Sequence, residues 1–247
     1  MIRFAPLLAA AAIAFTGPAS AQSFSEPQRG EIEKIIKDYL IKHPEVLQEA
    51  MAELEKKQAV AEAEKARTAV KNHSDALFNS PRQVVLGNPQ GDVTFVEFFD
   101  YNCGYCKKAM SDMVELMGKD PKLKVVLKEF PVLGQGSVEA AQVAVAVRMQ
   151  DKSGKKYLEF HQKLLGGRGQ ADKARALAVA KDIGLDMARL EKDLKSDEIE
   201  ATLSESLKLA EALGLNGTPS YVIGNDVVVG AVGLAKLGEK IQAARQQ

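Results

Sequence analysis

"DVTFVEFFDYNCGYCKKAMSDMVELMGK", residues 92–119, decides the fold of this chain, because a hydrophobic run there leads directly into two cysteines. Residues 92–101 are rich in β-branched and aromatic side chains, which is typical of a strand buried on both faces. After Cys103, apolar side chains recur at three- and four-residue spacing, as they do in an amphipathic helix. We therefore predict a strand, a junction at Cys103 and a helix that contains Cys106.

Cys103 and Cys106 are the only two cysteines among 247 residues, and metal binding, a structural disulfide and redox exchange are the competing explanations. A structural zinc site needs four ligands, and none of the three histidines has the paired spacing of a zinc motif. A disulfide across so short a loop restricts the unfolded chain little. The favoured hypothesis is a redox-active disulfide, Cys103–Cys106, around Gly104 and Tyr105, with no metal and no other cofactor.

The two sulfurs are expected to differ in role. Cys103 lies at the predicted helix N-terminus, where free N–H groups and the helix dipole stabilise a thiolate. Cys106 lies one turn further in, where neighbouring side chains shield it. We predict that Cys103 attacks substrates and that Cys106 resolves the resulting mixed disulfide.

The first residues predict export. Residues 1–21 contain Arg3, a short apolar run and the small residues Ala19-Ser20-Ala21, as a cleaved signal peptide does. The alternative, a membrane anchor, is disfavoured because the apolar run is much shorter than the ~20 residues that a bilayer requires. The chain has 33 basic and 33 acidic residues, so nucleic acid is not an expected partner.

A strand, a Cys-x-x-Cys pair and a helix in this order resemble the thioredoxin superfamily. Thr218-Pro219, directly before the strand-like residues 220–224, extends the likeness. In that superfamily such a dipeptide has a cis bond, packs against the cysteines and offers substrates a pairing edge. The resemblance thus implies a substrate-binding role for Thr218 and Pro219. An ordinary turn proline is the alternative.

The resemblance implies an α/β fold, and the long helical stretch between the predicted strands makes it more specific. Several amphipathic segments fill about residues 135–214, and a helical insertion at this place resembles the DsbA-like disulfide oxidoreductases of the bacterial periplasm. We therefore expect a thioredoxin-like catalytic domain over residues 79–247. The resemblance also implies cysteine-containing exported proteins as substrates and a membrane protein as the redox partner.

Glu97 and Lys128 are secondary candidates. A carboxylate within residues 93–99 is costly to bury unless it is paired or protonated. DsbA-like proteins have an acidic residue six positions before the first cysteine that helps to move its proton, and Glu97 occupies this position. Lys128, in the next predicted strand, is its expected partner. An edge-strand carboxylate facing water is the alternative.

The dipeptide between the cysteines bears on the reaction direction. DsbA proteins usually have Pro-His there, whereas Gly104-Tyr105 is the pair of DsbC-type isomerases. Without the imidazole the thiolate of Cys103 is less stabilised, and its disulfide is less oxidising. We therefore expect disulfide isomerase activity. A DsbA-like oxidase and a periplasmic chaperone or binding module are the alternatives.

Residues 22–78 form a separate helical region. Two apolar stripes, around Ile35 and Leu47, are too small for a core of their own. The segment resembles the stalk of the suppressor-of-copper-sensitivity C proteins, which are DsbA-like enzymes that oligomerise through N-terminal helices. We expect self-association as a trimer or a dimer. The alternative is a helix folded back onto its own domain.

Overall fold

The computed structural model describes residues 24–151 and 153–246. The predicted signal peptide, residues 1–21, lies outside them. The elements in chain order are α1 (Glu26–Lys42), α2 (Glu45–Asn72), α3 (Ser74–Phe78), β1 (Val84–Gly87), β2 (Val93–Phe99), α4 (Gly104–Lys119), β3 (Leu123–Glu129), α5 (Gln135–Gln150), α6 (Lys155–Gly166), α7 (Lys173–Asp182), α8 (Met187–Asp193), α9 (Asp197–Ala212), β4 (Ser220–Ile223), β5 (Asp226–Val229) and α10 (Leu234–Ala244).

The five strands form one mixed sheet in the order β1-β3-β2-β4-β5. β2 and β3 are parallel, with α4 as the crossover between them, and the other three pairings are antiparallel. Central β2 is hydrogen-bonded on both edges and buried on both faces, as its almost unbroken hydrophobicity predicts. The predicted thioredoxin fold is confirmed.

Alternation along β2 sends its side chains into two separate cores. Phe95 and Phe99 pack in the core that also contains both cysteines and Met113 of α4. Val96 and Phe98 enter a second core, on the opposite face of the sheet. The face to which a strand residue points therefore decides whether it can influence the cysteines.

The helical insertion is confirmed, since α5 to α9 occupy the chain between β3 and β4. α5 is buried around most of its circumference, because alanine and valine dominate its sequence and leave it no polar face. No helix in the described part of the chain is both long enough and apolar enough to cross a membrane.

Two short elements precede β2: α3 lies within the predicted helical region 22–78, whereas β1 is absent from the sequence-based prediction. β1 pairs with β3 at the edge of the sheet, and its four residues are too few for a clear periodic pattern. Leu77 of α3 and Val70 of α2 are both fully buried in the second core. These residues therefore belong to the same compact unit as the sheet.

Contacts divide the chain into two units, Met1–Lys56 and Lys57–Gln247. The second unit thus begins well before residue 79, where the sequence placed the catalytic domain. The physical reason is the burial of Val70 and Leu77, which enter the second core.

The described part of the first unit, residues 24–56, is helical and has no buried residue. α1 begins after Ser25, whose backbone N–H and hydroxyl donate to the side-chain oxygen of Gln28 at 2.9 and 3.1 Å. Large apolar side chains remain exposed, from 37% for Ile32 to 67% for Ile41; the full set is Phe24, Ile32, Ile35, Ile36, Tyr39, Ile41, Leu47, Met51 and Leu54.

Candidate redox-active site

Cys103 lies at the predicted junction, as the N-cap residue of α4. Its backbone is extended, with φ −84° and ψ 114°, so its side chain turns back over the first helical turn. The Cys103 Sγ accepts a hydrogen bond from the backbone N–H of Cys106 at 3.3 Å. A sulfur in this position is a helix cap, and a negative charge on it is stabilised by the positive end of the helix dipole.

Thr218 and Pro219 lie beside Cys103, although more than a hundred residues separate them in sequence. The Cys103 thiol donates a hydrogen bond to the carbonyl oxygen of Thr218 at 3.2 Å. The peptide bond between Thr218 and Pro219 is cis, as the sequence predicted. The structure therefore brings together the two motifs that the sequence identified separately.

The two sulfurs differ in access to solvent. Cys103 is 7% exposed, whereas Cys106 is fully buried. Burial raises the pKa of the Cys106 thiol well above its usual range. Between the sulfurs, Gly104 is exposed and Tyr105 is 71% exposed. The arrangement can present one sulfur to an incoming thiol or disulfide while the other stays protected.

Glu97 is 1% exposed, so the alternative of a water-facing edge carboxylate is excluded. Burial, with a smaller contribution from the nearby Asp112, raises the pKa of Glu97 to about 8. Its Oε2 atom has no hydrogen-bond partner among the described residues. Tyr221 faces Glu97 across the β2–β4 pairing, and burial together with the charges of Glu97 and Cys106 raises the pKa of its phenol.

The expected pairing of Glu97 with Lys128 is wrong. Lys128 is the β3 partner of Phe98, so it points to the face of the sheet opposite Glu97. Its ammonium group donates to the carbonyl of Ala76 at 2.6 Å and lies 3.6 Å from Glu205. Burial lowers the pKa of Lys128 to about 8. Because the sheet separates the two groups, Lys128 holds α3 and α9 in place rather than serving the cysteines.

Asp100 and Asn102 fix the loop that carries Cys103, and sequence reasoning missed both. Asp100 is 1% exposed. One of its carboxylate oxygens accepts from the N–H of Asn102 and the hydroxyl of Ser137, each at 2.7 Å. The other accepts from the N–H groups of Val132 and Leu133 at 2.8 and 3.0 Å. This carboxylate therefore joins the cysteine loop to the segment after β3.

Asn102 makes a second connection, to the helical insertion. Its side-chain amide donates to the carbonyl of Ala171 at 2.9 Å and accepts from the N–H of the same residue at 2.7 Å. The motif Asp100-Tyr-Asn-Cys103 could have suggested these roles, because Asp and Asn side chains often bond nearby backbone groups.

A buried polar cluster lies behind this loop, and sequence reasoning missed it too. Tyr157 donates a short hydrogen bond to Glu129, and the Tyr101 hydroxyl lies 3.5 Å from the same carboxylate. Burial raises the pKa of Glu129 to about 8. His161 packs against Phe99 and Tyr101, and burial lowers its pKa to about 3. His161 is therefore a neutral core residue at physiological pH.

Within the described ranges, no group of three or more His, Cys, Asp or Glu side chains gathers in a way that could hold a metal ion. The nearest polar neighbours of Cys103 are backbone groups, the Cys106 N–H and the Thr218 carbonyl. The N–H of Cys106 can donate to either a thiol or a thiolate, whereas the carbonyl of Thr218 can accept only from the protonated thiol.

Comparisons with known proteins identify two segments. The family described as the DSBA-like thioredoxin domain matches residues 94–242. The family described as the copper resistance protein ScsC N-terminal domain matches residues 28–61. The first match contains the cysteines, the sheet from β2 onward and the insertion, and the second covers most of α1 and the start of α2.

Solved structures show the same likeness. A thioredoxin-like oxidoreductase from Silicibacter pomeroyi is 44% identical, with a TM-score of 0.66 over 70% of this chain and 98% of that one. ScsC from Proteus mirabilis, in a transitional conformation, is 28% identical, with a TM-score of 0.65 over 91% of this chain and 98% of that one.

Among curated proteins, the thiol:disulfide interchange protein DsbA of Bordetella pertussis is 27% identical over 138 residues, which are 54% of this chain and 64% of that protein. The chain spans between 22% and 64% of the length of the curated relatives that it matches.

Proposed function

The chain belongs to the DsbA-like thioredoxin family, and we propose that it exchanges disulfides with other proteins through Cys103 and Cys106. In the reductive direction, the Cys103 thiolate attacks a substrate disulfide. One substrate sulfur leaves as a thiolate, and Cys103 becomes part of a mixed disulfide. Cys106 then attacks Cys103, releases the second substrate thiolate and closes the Cys103–Cys106 disulfide. The oxidative direction reverses each step.

The observation that carries this proposal is that the two sulfurs differ in exposure although the two residues are joined by a hydrogen bond. Cys103 caps the helix and accepts from the Cys106 N–H, while the Cys106 sulfur is fully buried. The roles follow from access, since an incoming substrate sulfur can reach Cys103 and cannot reach Cys106.

Trapping tests these roles. Cys106→Ser lacks the resolving sulfur, so it should accumulate mixed disulfides with cysteine-containing substrates on non-reducing gels. Cys103→Ser should form almost none, because its remaining sulfur is enclosed. Equal trapping by both variants would contradict the assignment, and a fully active Cys103→Ser variant would favour a chaperone or binding module.

We propose Glu97 as the group that exchanges a proton with Cys106. Glu97 is 1% exposed, burial raises its pKa to about 8, and it points to the face of the sheet whose core contains Cys106. A proton donor there would neutralise Cys106 as it leaves the disulfide. Glu97→Gln should therefore slow reduction of the Cys103–Cys106 disulfide. The double variant Glu97→Gln/Cys106→Ser should still form the mixed disulfide with substrates, as Cys106→Ser does.

For the direction of the reaction, we propose disulfide isomerisation as the main activity. Gly104 and Tyr105 place no imidazole beside Cys103, so the disulfide is expected to be a weaker oxidant than one flanked by Pro-His. The reduction potential separates the alternatives. A potential near the about −180 mV of protein disulfide isomerase would support isomerisation, and one near the about −120 mV of DsbA would support an oxidase.

We further propose that the N-terminal helices assemble copies of the chain into a trimer or a dimer. The exposed apolar side chains of residues 24–56 have no core of their own to enter. Burial of such side chains is worth about 25 cal/mol per Å² of apolar area, which favours pairing with identical helices. Linked catalytic domains would raise the local concentration of sites at one misfolded substrate.

Point variants in the full chain test this assembly. Ile35→Lys with Met51→Lys places charges among the exposed apolar side chains of α1 and α2 and should give a monomer in light scattering. Glu33→Lys with Glu49→Lys introduces the same residue at polar exposed positions and should remain oligomeric. The monomer should reduce a simple disulfide normally but lose most refolding of a scrambled-disulfide protein.

For location, we propose export to the periplasm after cleavage of residues 1–21. The Arg3-containing segment and the Ala19-Ser20-Ala21 site support this proposal. Substrates would then be cysteine-containing exported proteins, and a membrane protein would reduce or oxidise the pair. A mature protein that begins at Gln22 in mass spectrometry of a periplasmic extract is the expected result.

A further inference from the structure

The surface around Cys103 is built from several separate parts of the second unit. Hydrogen bonds link the cysteine loop to Leu133, Ala171 and Thr218, and the carbonyl of Pro219 accepts from Gly230 at 2.8 Å. The chain segments that meet there are residues 100–111, 131–138, 167–171, 214–224 and 229–233.

The charge on these segments, all of which the structure describes, is one-sided. Within them Asp100 is the only acidic residue, and it is 1% exposed, with both oxygens engaged in hydrogen bonds. Asp112, Glu139 and Asp172 lie directly beyond the ends of these segments and are half-buried. The Asp172 carboxylate accepts from the N–H of Arg175, and that of Glu139 accepts from the Gln135 side chain and the N–H of Lys173.

Three cationic side chains, by contrast, are exposed: Lys107, Lys108 and Arg168. We call these three residues the basic rim. Among the described residues, none of the three forms an ion pair.

The basic rim is held in place by the packing of the insertion against α4. The Lys107 ammonium group donates to the carbonyl of Gly167 at 3.3 Å. The Arg175 guanidinium donates to the carbonyls of Gly169 and Leu164 at 2.7 and 3.0 Å. A Cβ atom at Gly167 would lie 1.7 Å from the Arg175 Nη2, so this loop is tightly packed. Arg168 is thereby kept beside the first turn of α4.

Apolar side chains complete the surface. Tyr105, Val132 and Leu133 are 71%, 44% and 52% exposed, respectively. A peptide that reaches Cys103 therefore meets exposed apolar side chains and exposed positive charge, whereas the acidic residues within and directly next to these segments are buried or half-buried.

We propose that the basic rim selects protein substrates that carry acidic side chains within a few residues of the reacting cysteine. The inference rests on the proposed disulfide exchange at Cys103 and adds the substrate class. Opposite charges around a site raise the association rate, by factors of about 10 to 1,000 in steered encounters. Salt screens such attraction, since the Debye length falls from about 30 Å at 0.01 M to about 3 Å at 1 M ionic strength.

Two peptides with one cysteine each test the proposal on the full oxidised chain. They have the same sequence except for Glu or Lys on both sides of the cysteine. The peptide thiolate attacks Cys103, the Cys103–Cys106 bond breaks, and Cys106 leaves as a thiolate that takes up a proton. As a reference, the rate at which each peptide reduces a small, neutral aromatic disulfide is also measured. The rate with the protein is divided by this reference rate, which removes differences in intrinsic reactivity between the two peptide thiols.

We expect the Glu peptide to react at least about tenfold faster than the Lys peptide at low ionic strength, with the ratio approaching one at 1 M salt. The variant Lys107→Gln/Lys108→Gln/Arg168→Gln should lose most of the ratio. A control with the same change in net charge, Lys181→Gln/Lys192→Gln/Lys208→Gln, alters exposed cations of α7, α8 and α9 and should retain it.

Each outcome decides one question. Equal normalised rates for the two peptides, or a ratio unaffected by the basic-rim variant, would overturn the substrate preference and leave disulfide exchange intact. A ratio lost equally in both triple variants would show that net charge, rather than the basic rim, is responsible. If neither peptide reacts with the oxidised protein, the exchange function itself is refuted.

Discussion

Replacing Glu97 by Gln should stabilise the protein at neutral and alkaline pH. Glu97 is 1% exposed on the face of the sheet that holds the cysteines. Lys128 points to the other side of the sheet, and no cation among the described residues forms an ion pair with Glu97. Burial raises its pKa from 4.5 to about 8, so the folded protein holds this proton where the unfolded chain has lost it. Gln has nearly the same shape as the protonated acid and cannot ionise.

The magnitude follows from the linkage between protonation and folding. A rise in the pKa of Glu97 from 4.5 to about 8 corresponds to a maximal loss of about 5 kcal/mol of unfolding free energy at high pH, since each pKa unit is worth about 1.36 kcal/mol. Below pH 4.5 both states are protonated, and the variant should have nearly wild-type stability. As the pH rises towards 8, only the unfolded wild-type chain gains from ionisation of this group, so the wild type progressively loses stability relative to the variant.

The assay is urea denaturation of the reduced proteins at several pH values between 4 and 9. The difference in unfolding free energy between Glu97→Gln and the wild type should grow with pH and exceed ~2 kcal/mol by pH 8. Glu129 titrates in the same range but is present in both proteins, so its contribution cancels. Glu191→Gln, an exposed change on α8, serves as the control and should show no such trend. A variant that is less stable than the wild type at pH 8 would refute the reasoning, because Glu97 would then be ionised and stabilised by a partner.

Three further predictions follow from the same neighbourhood. Iodoacetamide should label Cys103 of the reduced protein at least about tenfold faster than Cys106, because burial encloses Cys106 and raises its pKa; faster labelling of Cys106 would contradict this. Asp100→Asn should lower the unfolding free energy by about 1–3 kcal/mol in urea denaturation, since one amide cannot accept all the bonds of the carboxylate, and an unchanged midpoint would count against it. His161→Phe should reduce the loss of stability as the pH falls from 6.5 towards 3. Burial lowers the pKa of His161 to about 3, so in this range the imidazole binds a proton in the unfolded chain but not in the folded protein. Identical acid denaturation curves for the two proteins would refute this.

The main architecture was predictable because its signals are local. The hydrophobic run of β2, the helical spacing after Cys103 and the amphipathic segments of the insertion each show their structure within about a dozen residues. The cis bond before Pro219 followed from the resemblance to the thioredoxin superfamily. The same resemblance was sufficient to place Thr218 beside the cysteines.

Features that depend on long-range contacts were not predictable in this way. Val70 and Leu77 belong to short apolar clusters with no sustained periodic pattern, and only the folded sheet shows why both are buried. The register of β3 against β2 decides which face Lys128 occupies, and a shift by one residue would have turned it towards Glu97. Glu129 and Tyr157 come from elements 28 residues apart, so no local pattern connects them.

The same register explains how charge is distributed around the cysteines. Phe99 pairs with Glu129, and Glu97 pairs with Leu127, so both buried carboxyl groups point to the face of the sheet that carries α4. The buried cation of the central strands, Lys128, points to the other face. Lys107, Lys108 and Arg168, by contrast, are exposed to solvent.

The buried carboxyl groups of Glu97 and Glu129 and the exposed basic rim should respond to different solution conditions, because one set is enclosed in the core and the other is in contact with solvent. Salt screens exposed charges strongly and buried ones much less. Raising the pH through about 8, in turn, ionises the buried carboxyl groups of Glu97 and Glu129, whose pKa values burial raises to about 8. Ionic strength should thus alter how fast charged substrates reach Cys103, whereas pH should alter core stability and the proton balance at Cys106. Measuring exchange over both variables would separate substrate capture from the chemistry that follows it.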